Sequence, residues 1–320
     1  MKRAAKREGS PWTGLGPMFA EELADQLTSV RMRILEVIVL IAAVGAVYVA
    51  GQQLRATVSE SPFPFLQLFT TAKNPLPSFI TFLGFFVPLV AISLGFDAVN
   101  GEFSRRTLSR VLSQPIYRDA LLAGKFLGAL ATLALLLLGL WLVTTGLGIV
   151  VLGIPPGGTE VARGLLFLLV TLLYAAIWLC LAMLCSMLFR QPATSAMASL
   201  GLWVLFAVLW PIFAQFLAQA LGGAALTPEA QLRQVEVAAA LGRVDPGTLY
   251  AQAVQALLHP AVRSFGPVFL SQLDRALIGA PLPLGESVLL AWPQVVTLLS
   301  ASCLLFALAY VVFQRREIRA

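Results

Sequence analysis

The chain has 320 residues, of which 58% are hydrophobic and only 12% are charged, and its mean hydropathy is +0.85. This composition excludes an ordinary soluble domain, in which about 25% of the residues are charged. The net charge of +6 reflects where lysine and arginine lie along a membrane protein, and it gives no reason to expect a nucleic-acid partner.

Residues 1–33 predict a cytoplasmic tail followed by an amphipathic helix. Residues 1–16 are basic and contain glycine and proline. In residues 17–33 apolar side chains recur on one helical face, acidic residues lie in the early turns, and Arg31 and Arg33 follow at the end. We expect this helix to lie along the inner membrane surface. A helix that binds a soluble partner stays open as the alternative.

Six runs nearly free of charge follow, and each can hold the roughly 20 apolar residues that cross a bilayer. They lie near 34–54, 78–97, 121–152, 162–189, 194–216 and 288–313. The sequence therefore predicts an all-α polytopic membrane protein. Residues 34–216 hold the first five spans, and residues 288–320 hold the sixth span and a cytoplasmic tail.

Lysine and arginine are concentrated in three places: the N-terminal segment, the stretch between the second and third spans, and the C-terminus. Short loops rich in these residues stay in the cytoplasm. We therefore expect both termini, and the stretch between spans two and three, to be cytoplasmic.

The stretch Asp97–Lys125 is a dense group of charged residues between two long apolar runs. We call its residues 97–120 the polar segment. Apolar residues at spacings of three and four predict a short amphipathic helix, supported by Glu102 and Arg106 in i, i+4 order. Pro115 should break this helix, which restarts near residue 116. We expect Asp97 to end the second span and Lys125 to reach the inner headgroups.

Two regions lie on the opposite, outer side. Residues 55–77 contain four prolines, so we predict no regular helix there. Residues 217–287 predict a helical cap, with helices starting at Thr227-Pro228 and Asp245-Pro246 and a third over 266–277. An apolar stripe within 249–258 suits a partner, the outer membrane face or the cap's own core.

No residue pattern indicates catalysis or a cofactor site on this chain. His259 is the single histidine, which excludes a histidine-based metal site or a Ser-His pair, and we expect it to be a surface or capping residue. The three cysteines fall in predicted spans, where a thiol behaves as a small apolar group. The spacing of a phosphate-binding loop is missing around Gly124-Lys125. We therefore predict that the chain is not an enzyme and that any pumping draws its energy from elsewhere.

The polar segment and its surroundings carry a family resemblance in the sequences EFSRRTL (102–108) and LSQPIYR (112–118), followed by Gly124-Lys125. Together with six spans and a preceding surface helix, these resemble the permease subunits of type 2 ABC exporters. Within them, the likeness is to the bacterial stand-alone permeases that include the nitrous oxide reductase maturation permease.

The resemblance implies that the polar segment is a coupling helix, which docks on a separate ABC ATPase subunit that holds ATP and magnesium. It implies a second permease copy or a paralogous permease, and a bacterial inner membrane location. Residues 17–33 would be the connecting helix. The ATPase-docking residues would be Glu102, Arg105, Arg106, Thr107, Leu108, Pro115 and Arg118. Arg106 stands where the family commonly has glycine, so we assign it no fixed partner.

Two other functions stay open from the residues alone. One is a non-transporting membrane scaffold subunit of a larger complex, and the other is a channel. An ATPase partner would favour the permease, and its absence the scaffold. The sequence indicates neither a substrate nor a choice between homodimer and heterodimer, and it leaves open whether the complex does mechanical work on an outer protein.

Overall fold

The structure is a computed structural model that describes residues 12, 14–54, 62–72, 77–104, 118–222, 228–263, 265 and 281–315. This part of the chain is helical and contains no strand. The helices are α1 (Leu15–Thr28), α2 (Val30–Leu54), α3 (Pro64–Thr70), α4 (Phe79–Gly95), α5 (Asn100–Ser104), α6 (Arg118–Leu152), α7 (Gly158–Leu188), α8 (Pro192–Val204), α9 (Trp210–Gly222), α10 (Pro228–Gly242), α11 (Pro246–Leu258) and α12 (Leu284–Arg315). A π-helical turn, Leu205–Leu209, joins α8 to α9.

Six helical stretches of the described residues are long and apolar enough to cross a membrane, which confirms the predicted number of spans. They are Val30–Leu54, Phe79–Glu102, Asp119–Leu152, Gly158–Leu188, Pro192–Gly222 and Leu284–Arg315. We call the end of the bundle that carries α1, α5 and Arg315 the inner end, following the charge distribution.

Helix α7 lies at the centre of the bundle, in contact with α4, α6, α8, α11 and α12. Most of its residues are apolar, as expected for a helix that neighbours surround. Small residues let those neighbours approach closely. A Cβ atom at Gly164 would lie 2.8 Å from the indole nitrogen of Trp141, and one at Gly95 of α4 would lie 2.9 Å from the Cβ of Ala182. Helix α7 therefore sets the positions of the helices around it.

A proline in α4 creates a polar contact inside this packing. Pro88 lies in the middle of α4 and has no N–H to donate to the carbonyl of Gly84. The hydroxyl of Tyr174 on α7 donates to that carbonyl oxygen at 3.1 Å. The Tyr174 ring stacks on Tyr250 of α11, with 4.5 Å between ring centroids, and the Tyr250 hydroxyl lies 3.3 Å from that of Thr171. The free carbonyl of Gly84 in α4 and the position of α11 thus depend on the same residue of α7.

The prediction for residues 55–77 was wrong in part, because α3 occupies Pro64–Thr70. Pro64 is the first helical residue, a position where proline is well tolerated since its missing N–H would have no helical partner. Glu160 of α7 then accepts a hydrogen bond from the backbone N–H of Phe65 at 2.9 Å, and Phe65 is buried. A side chain almost a hundred positions away therefore stabilises the start of α3.

Helices α10 and α11 follow one another through a short turn in the region predicted as a cap, and we call this pair of helices the hairpin. The predicted helix start at Asp245 is confirmed, because its carboxylate caps α11 by accepting from the backbone N–H of Thr248 at 2.8 Å. Helix α10 is described from Pro228 onward, and the predicted cap residue Thr227 lies outside the described residues. His259 is the C-cap residue of α11. The third helix, predicted over 266–277, lies outside the described residues.

The apolar stripe of α11 is covered by the chain's own spans, because α11 packs against α4, α7 and α12. Leu249, Tyr250 and Val254 are buried there. Helix α10 packs on α9 instead, where the indole N–H of Trp210 donates to the carbonyl of Leu241 at 2.9 Å. The hairpin is therefore fixed along the outer parts of the spans.

Arg163 of α7 fixes the outer end of α11. Its side chain is fully buried and donates to the carbonyls of Leu257 at 2.6 Å and Leu282 at 2.7 Å, and to the hydroxyl of Ser287 at 3.0 Å. The Leu257 carbonyl is in the last turn of α11, where it has no helical donor. One guanidinium thus joins α7, α11 and the start of α12.

We predict that Arg163→Met lowers the free energy of unfolding by about 2 to 4 kcal/mol, because two buried carbonyls lose their donor. The measurement is thermal unfolding in a mild detergent. Arg233→Met, at an exposed arginine of α10, is the matched control and should unfold as the unmodified protein does. Equal unfolding temperatures for Arg163→Met and the control would show that these hydrogen bonds do not fix the hairpin.

Candidate functional site

Two of the seven predicted docking residues fall in the described part of the chain. Glu102 lies in α5, and Arg118 is the first residue of α6, although its side chain is not described. The other five lie outside the described residues, so their placement stays a prediction: Arg105, Arg106, Thr107, Leu108 and Pro115. The chain is helical from Arg118 onward, and the predicted restart near residue 116 lies outside the described residues.

The start of the polar segment is bound to the inner end of α7. The hydroxyl oxygen of Ser186 accepts from the backbone N–H groups of Val99 at 3.0 Å and Asn100 at 3.1 Å. The Asn100 side chain donates to the carbonyl of Phe189 at 3.3 Å. The first N–H groups of a helix have no partner within it, so Ser186 acts as an N-cap supplied by another helix. The orientation of α5 is therefore set by α7.

Lys125 of α6 binds two carboxylates from other helices. Its ammonium nitrogen lies 3.0 Å from an oxygen of Glu22 on α1 and 2.7 Å from an oxygen of Glu102 on α5. The amide of Gln26, one turn after Glu22, donates to the other Glu22 oxygen at 2.7 Å. The side chains of Lys125 and Glu22 are at most 10% exposed. Lys125 thus joins α1, α5 and α6, and the prediction that it reaches the headgroups was wrong.

Two glycines on either side of Lys125 bring α1 close to α6. A Cβ atom at Gly124 would lie 2.7 Å from the Cβ of Met18, and one at Gly128 would lie 2.8 Å from the Cβ of Glu22. Small residues four apart let helix backbones approach closely in membrane proteins. Because Met18, Glu22 and Gln26 follow one another every four residues, α1 packs lengthwise along the first turns of α6.

The face of α1 that turns toward α6 combines the apolar Met18 with the polar Glu22 and Gln26. Glu22 and Gln26 are buried, whereas Leu27 on the apolar stripe is 37% exposed. The sequence assigns the acidic residues of α1 only to the helix dipole, and it does not predict the contact of Glu22 with α6. The glycine spacing around Lys125 and the i, i+4 pair Glu22 and Gln26 are the signals that point to this packing.

An ion pair that does not involve Lys125 joins α2 to the end of α4. The guanidinium of Arg31 lies 3.1 Å from the carboxylate of Asp97 and both side chains are about one third exposed, so the pair contributes little to stability. The guanidinium also lies over the Phe96 ring, 5.0 Å from its centroid. Helix α4 ends at Gly95, close to the predicted end of the second span at Asp97.

The inner end of α12 is bound to the start of α6. The side-chain amide of Gln314 donates to the carboxylate of Asp119. The ring centroids of Phe126 on α6 and Phe306 on α12 lie 4.9 Å apart. Helices α1, α5 and α12 therefore all contact the first turns of α6. A displacement of the polar segment at this end would act on all of them.

Comparisons with known proteins show which family the chain is similar to. The family described as "ABC-2 family transporter protein" matches residues 17–318. The chain is 33% identical over 150 residues to the probable ABC transporter permease protein NosY of Pseudomonas aeruginosa, a match that covers 45% of this chain and 52% of that protein. The NosY of Stutzerimonas stutzeri is 30% identical over 145 residues, with the same coverage. The chain thus spans about half the length of the curated relatives it matches.

We predict that Gly128→Leu separates α1 from α6 and lowers the free energy of unfolding by about 1 to 3 kcal/mol, the usual cost of overpacking. The matched control is Gly146→Leu in the same helix, since a Cβ atom at Gly146 would meet nothing within 4 Å. Thermal unfolding of the two purified variants provides the comparison. If both variants unfold at the same temperature, the close approach of α1 does not stabilise the protein.

Proposed function

Because the chain belongs to the ABC-2 family of transporter proteins, we propose that it is the membrane-spanning permease subunit of an ATP-driven exporter. ATP and magnesium are held by a separate ABC ATPase subunit, which docks on the polar segment from the cytoplasm. The chain itself hydrolyses no ATP. The names of the two NosY relatives support the permease function.

The observation that carries the proposal is the way the polar segment is joined to the bundle. Its start is capped by Ser186 of α7, and Glu102 is bound to Lys125 of α6. Lys125 in turn binds Glu22 of α1. A solvated loop needs no such contacts, whereas a segment that receives force from a motor subunit must transmit it to the spans. The contacts through Lys125 supply that route.

The direction of the force follows from the packing. When the ATPase subunits close on ATP, the docked polar segment moves with them. Since α5 is bound to α7 through Ser186 and to α6 through Lys125, these two spans move together. Helix α1 moves as well, because Lys125 and the two glycines hold it against α6. The inner ends of the spans are thereby displaced, which changes access to the transport pathway.

A second permease, either another copy or a paralogue, completes the transporter in this proposal. The span formed by α8 and α9 is the least buried of the six, with 11% of its apolar stretch buried. Its π-helical turn at Leu205–Leu209 has no buried residue. We place the contact with the second permease on this span. The protein resides in the bacterial inner membrane with both termini in the cytoplasm, as the distribution of lysine and arginine favours.

We predict that an ABC ATPase subunit co-purifies with the tagged protein from membranes of its own host in a mild detergent, with ATP or ADP present. Arg105→Glu combined with Arg106→Glu should reduce the recovered ATPase subunit at least about tenfold, because two docking charges are reversed. The double variant keeps the carboxylate of Glu102 that binds Lys125. Quantitative mass spectrometry measures the recovery.

The matched control is Arg233→Glu on the outer hairpin, which changes a charge of the same kind on the opposite side and should leave the recovery unchanged. Equal loss of the ATPase subunit from the control and the double variant would contradict docking on the polar segment. Recovery of no ATPase subunit with the unmodified protein, under either nucleotide, would favour the membrane scaffold.

A further inference from the structure

A groove between α2 and α6 opens on the membrane-facing surface of the bundle. It has a volume of about 370 Å³, and its lining includes Leu40 of α2, Leu135, Gly139 and Val143 of α6, and Glu36 of α2. Among the described residues that line it, Glu36 is the only charged one. Leu40, Leu135 and Val143 are exposed, so the apolar walls face lipid.

The groove exists because α2 and α6 are in close contact at their outer ends but not at the level of Gly139. A Cβ atom at Gly51 of α2 would lie 2.5 Å from the side chain of Val151 on α6. Twelve residues earlier in α6, a Cβ atom at Gly139 would meet nothing within 4 Å. The missing side chain of Gly139 thus leaves space between the two helices in their inner half.

Glu36 lies at the inner boundary of the hydrocarbon core. Helix α2 has 25 residues, Val30–Leu54, and about 20 residues of helix cross the core. Counting back from Leu54 therefore places the inner boundary close to residue 35. This count leaves Arg31 and Arg33 among the headgroups, where charged side chains belong. The groove thus opens at headgroup level, and Leu40 and Val143 line its course toward the bilayer centre.

Glu36 has no cation to neutralise it within the part of the chain that the structure describes. No described residue forms a hydrogen bond or an ion pair with its side chain. The nearby Arg31 is bound to Asp97 instead. Arg33, one turn before Glu36, is exposed and is in none of the ion pairs of the described residues. An ionisable group at the lipid-facing surface of a span commonly marks a site and has a partner, so we look for that partner in the membrane.

The charges of Arg33 and Glu36 fit a zwitterionic headgroup. Residues three apart lie on the same helical face, with about 5–6 Å between their Cβ atoms, and their side chains lean toward the helix start, which is the inner end of α2. A guanidinium binds phosphate with two parallel hydrogen bonds, and a carboxylate accepts hydrogen bonds from a primary ammonium. Phosphatidylethanolamine carries both groups next to each other, together with acyl chains that suit the apolar walls.

We propose that the groove binds one phosphatidylethanolamine molecule of the inner leaflet. Its ammonium group donates to Glu36, its phosphate binds Arg33, and one acyl chain lies between α2 and α6 over Gly139. The lipid fills the space between two spans that touch only farther out. This inference is independent of the proposed function, because it rests on the charge, depth and shape of the groove alone.

The test is native mass spectrometry of the purified full-length protein, titrated with phosphatidylethanolamine or with phosphatidylcholine of the same acyl chains. The two lipids differ only in the methyl groups that remove every N–H donor from the ammonium. The unmodified protein should bind a first phosphatidylethanolamine about tenfold more tightly, since a hydrogen bond to a charged group commonly contributes at least that factor.

Two variants assign the two halves of the headgroup. Glu36→Gln should reduce the tenfold preference to about equal affinity, because the carboxylate that distinguishes the two ammonium groups is gone. Arg33→Gln should weaken both lipids by the same factor, about fivefold, and keep the preference, because both lipids have the phosphate. The control Glu21→Gln, at an exposed carboxylate of α1 that is absent from the groove lining, should leave both affinities unchanged.

A third variant tests the place of the acyl chain. Gly139→Leu fits the folded protein without a clash and fills the groove, so it should weaken both lipids at least about tenfold. Gly146→Leu in the same helix also meets no neighbour and is outside the lining, and it should bind lipid as the unmodified protein does. Equal affinity of the unmodified protein for the two lipids, a preference that survives Glu36→Gln, or equal effects of the two leucine variants would each overturn the proposal.

Discussion

The inner end of this protein depends on one buried ammonium group. Lys125 has two carboxylates within 3.0 Å, one from α1 and one from α5. A charged group in a nearly dry place is stable only when its partners are in position, and removing one partner of such a pair commonly costs about 3 to 5 kcal/mol. The glycines at 124 and 128 make the pairing possible, because any larger residue would hold Glu22 away from Lys125. The close packing and the ion pairs therefore need each other.

Helix α7 connects this end to the outer one. Near its inner end Ser186 caps α5, in its middle Tyr174 binds the Gly84 carbonyl of α4, and near its outer end Arg163 binds α11 and the segment before α12. A movement of the polar segment would reach the outer hairpin through this one helix. In a permease, the same connection lets an event at the cytoplasmic face change the opposite face, since packed helices move as rigid elements.

The sequence was sufficient for the features that are local or set by composition. Six apolar runs gave six spans, and Asp245-Pro246 gave the start of α11, because hydropathy and capping act over a few residues. The predictions that were wrong concern contacts between residues far apart in the chain. The sequence placed Lys125 at the headgroups, because it lies near the start of a span. Its partner Glu22 lies 103 positions away, so no local pattern indicates the ion pair. The α3 helix was missed because Glu160, which stabilises its start, belongs to another helix. The docking residues 105–108 and Pro115 lie outside the described residues and remain predictions.

The most direct test of the account is hydrogen–deuterium exchange of the backbone amides in α1 and in residues 97–104, for the unmodified protein and for Lys125→Met. The account predicts faster exchange in both segments together, because both lose their common partner and the buried carboxylate of Glu22 loses its ammonium group. It also predicts that Glu22→Gln and Glu102→Gln, added to Lys125→Met, slow the exchange again, since no unpaired charge is then buried. Protection that stays unchanged in Lys125→Met, or that falls in only one of the two segments, would contradict the claim that Lys125 holds α1 and the polar segment as one unit.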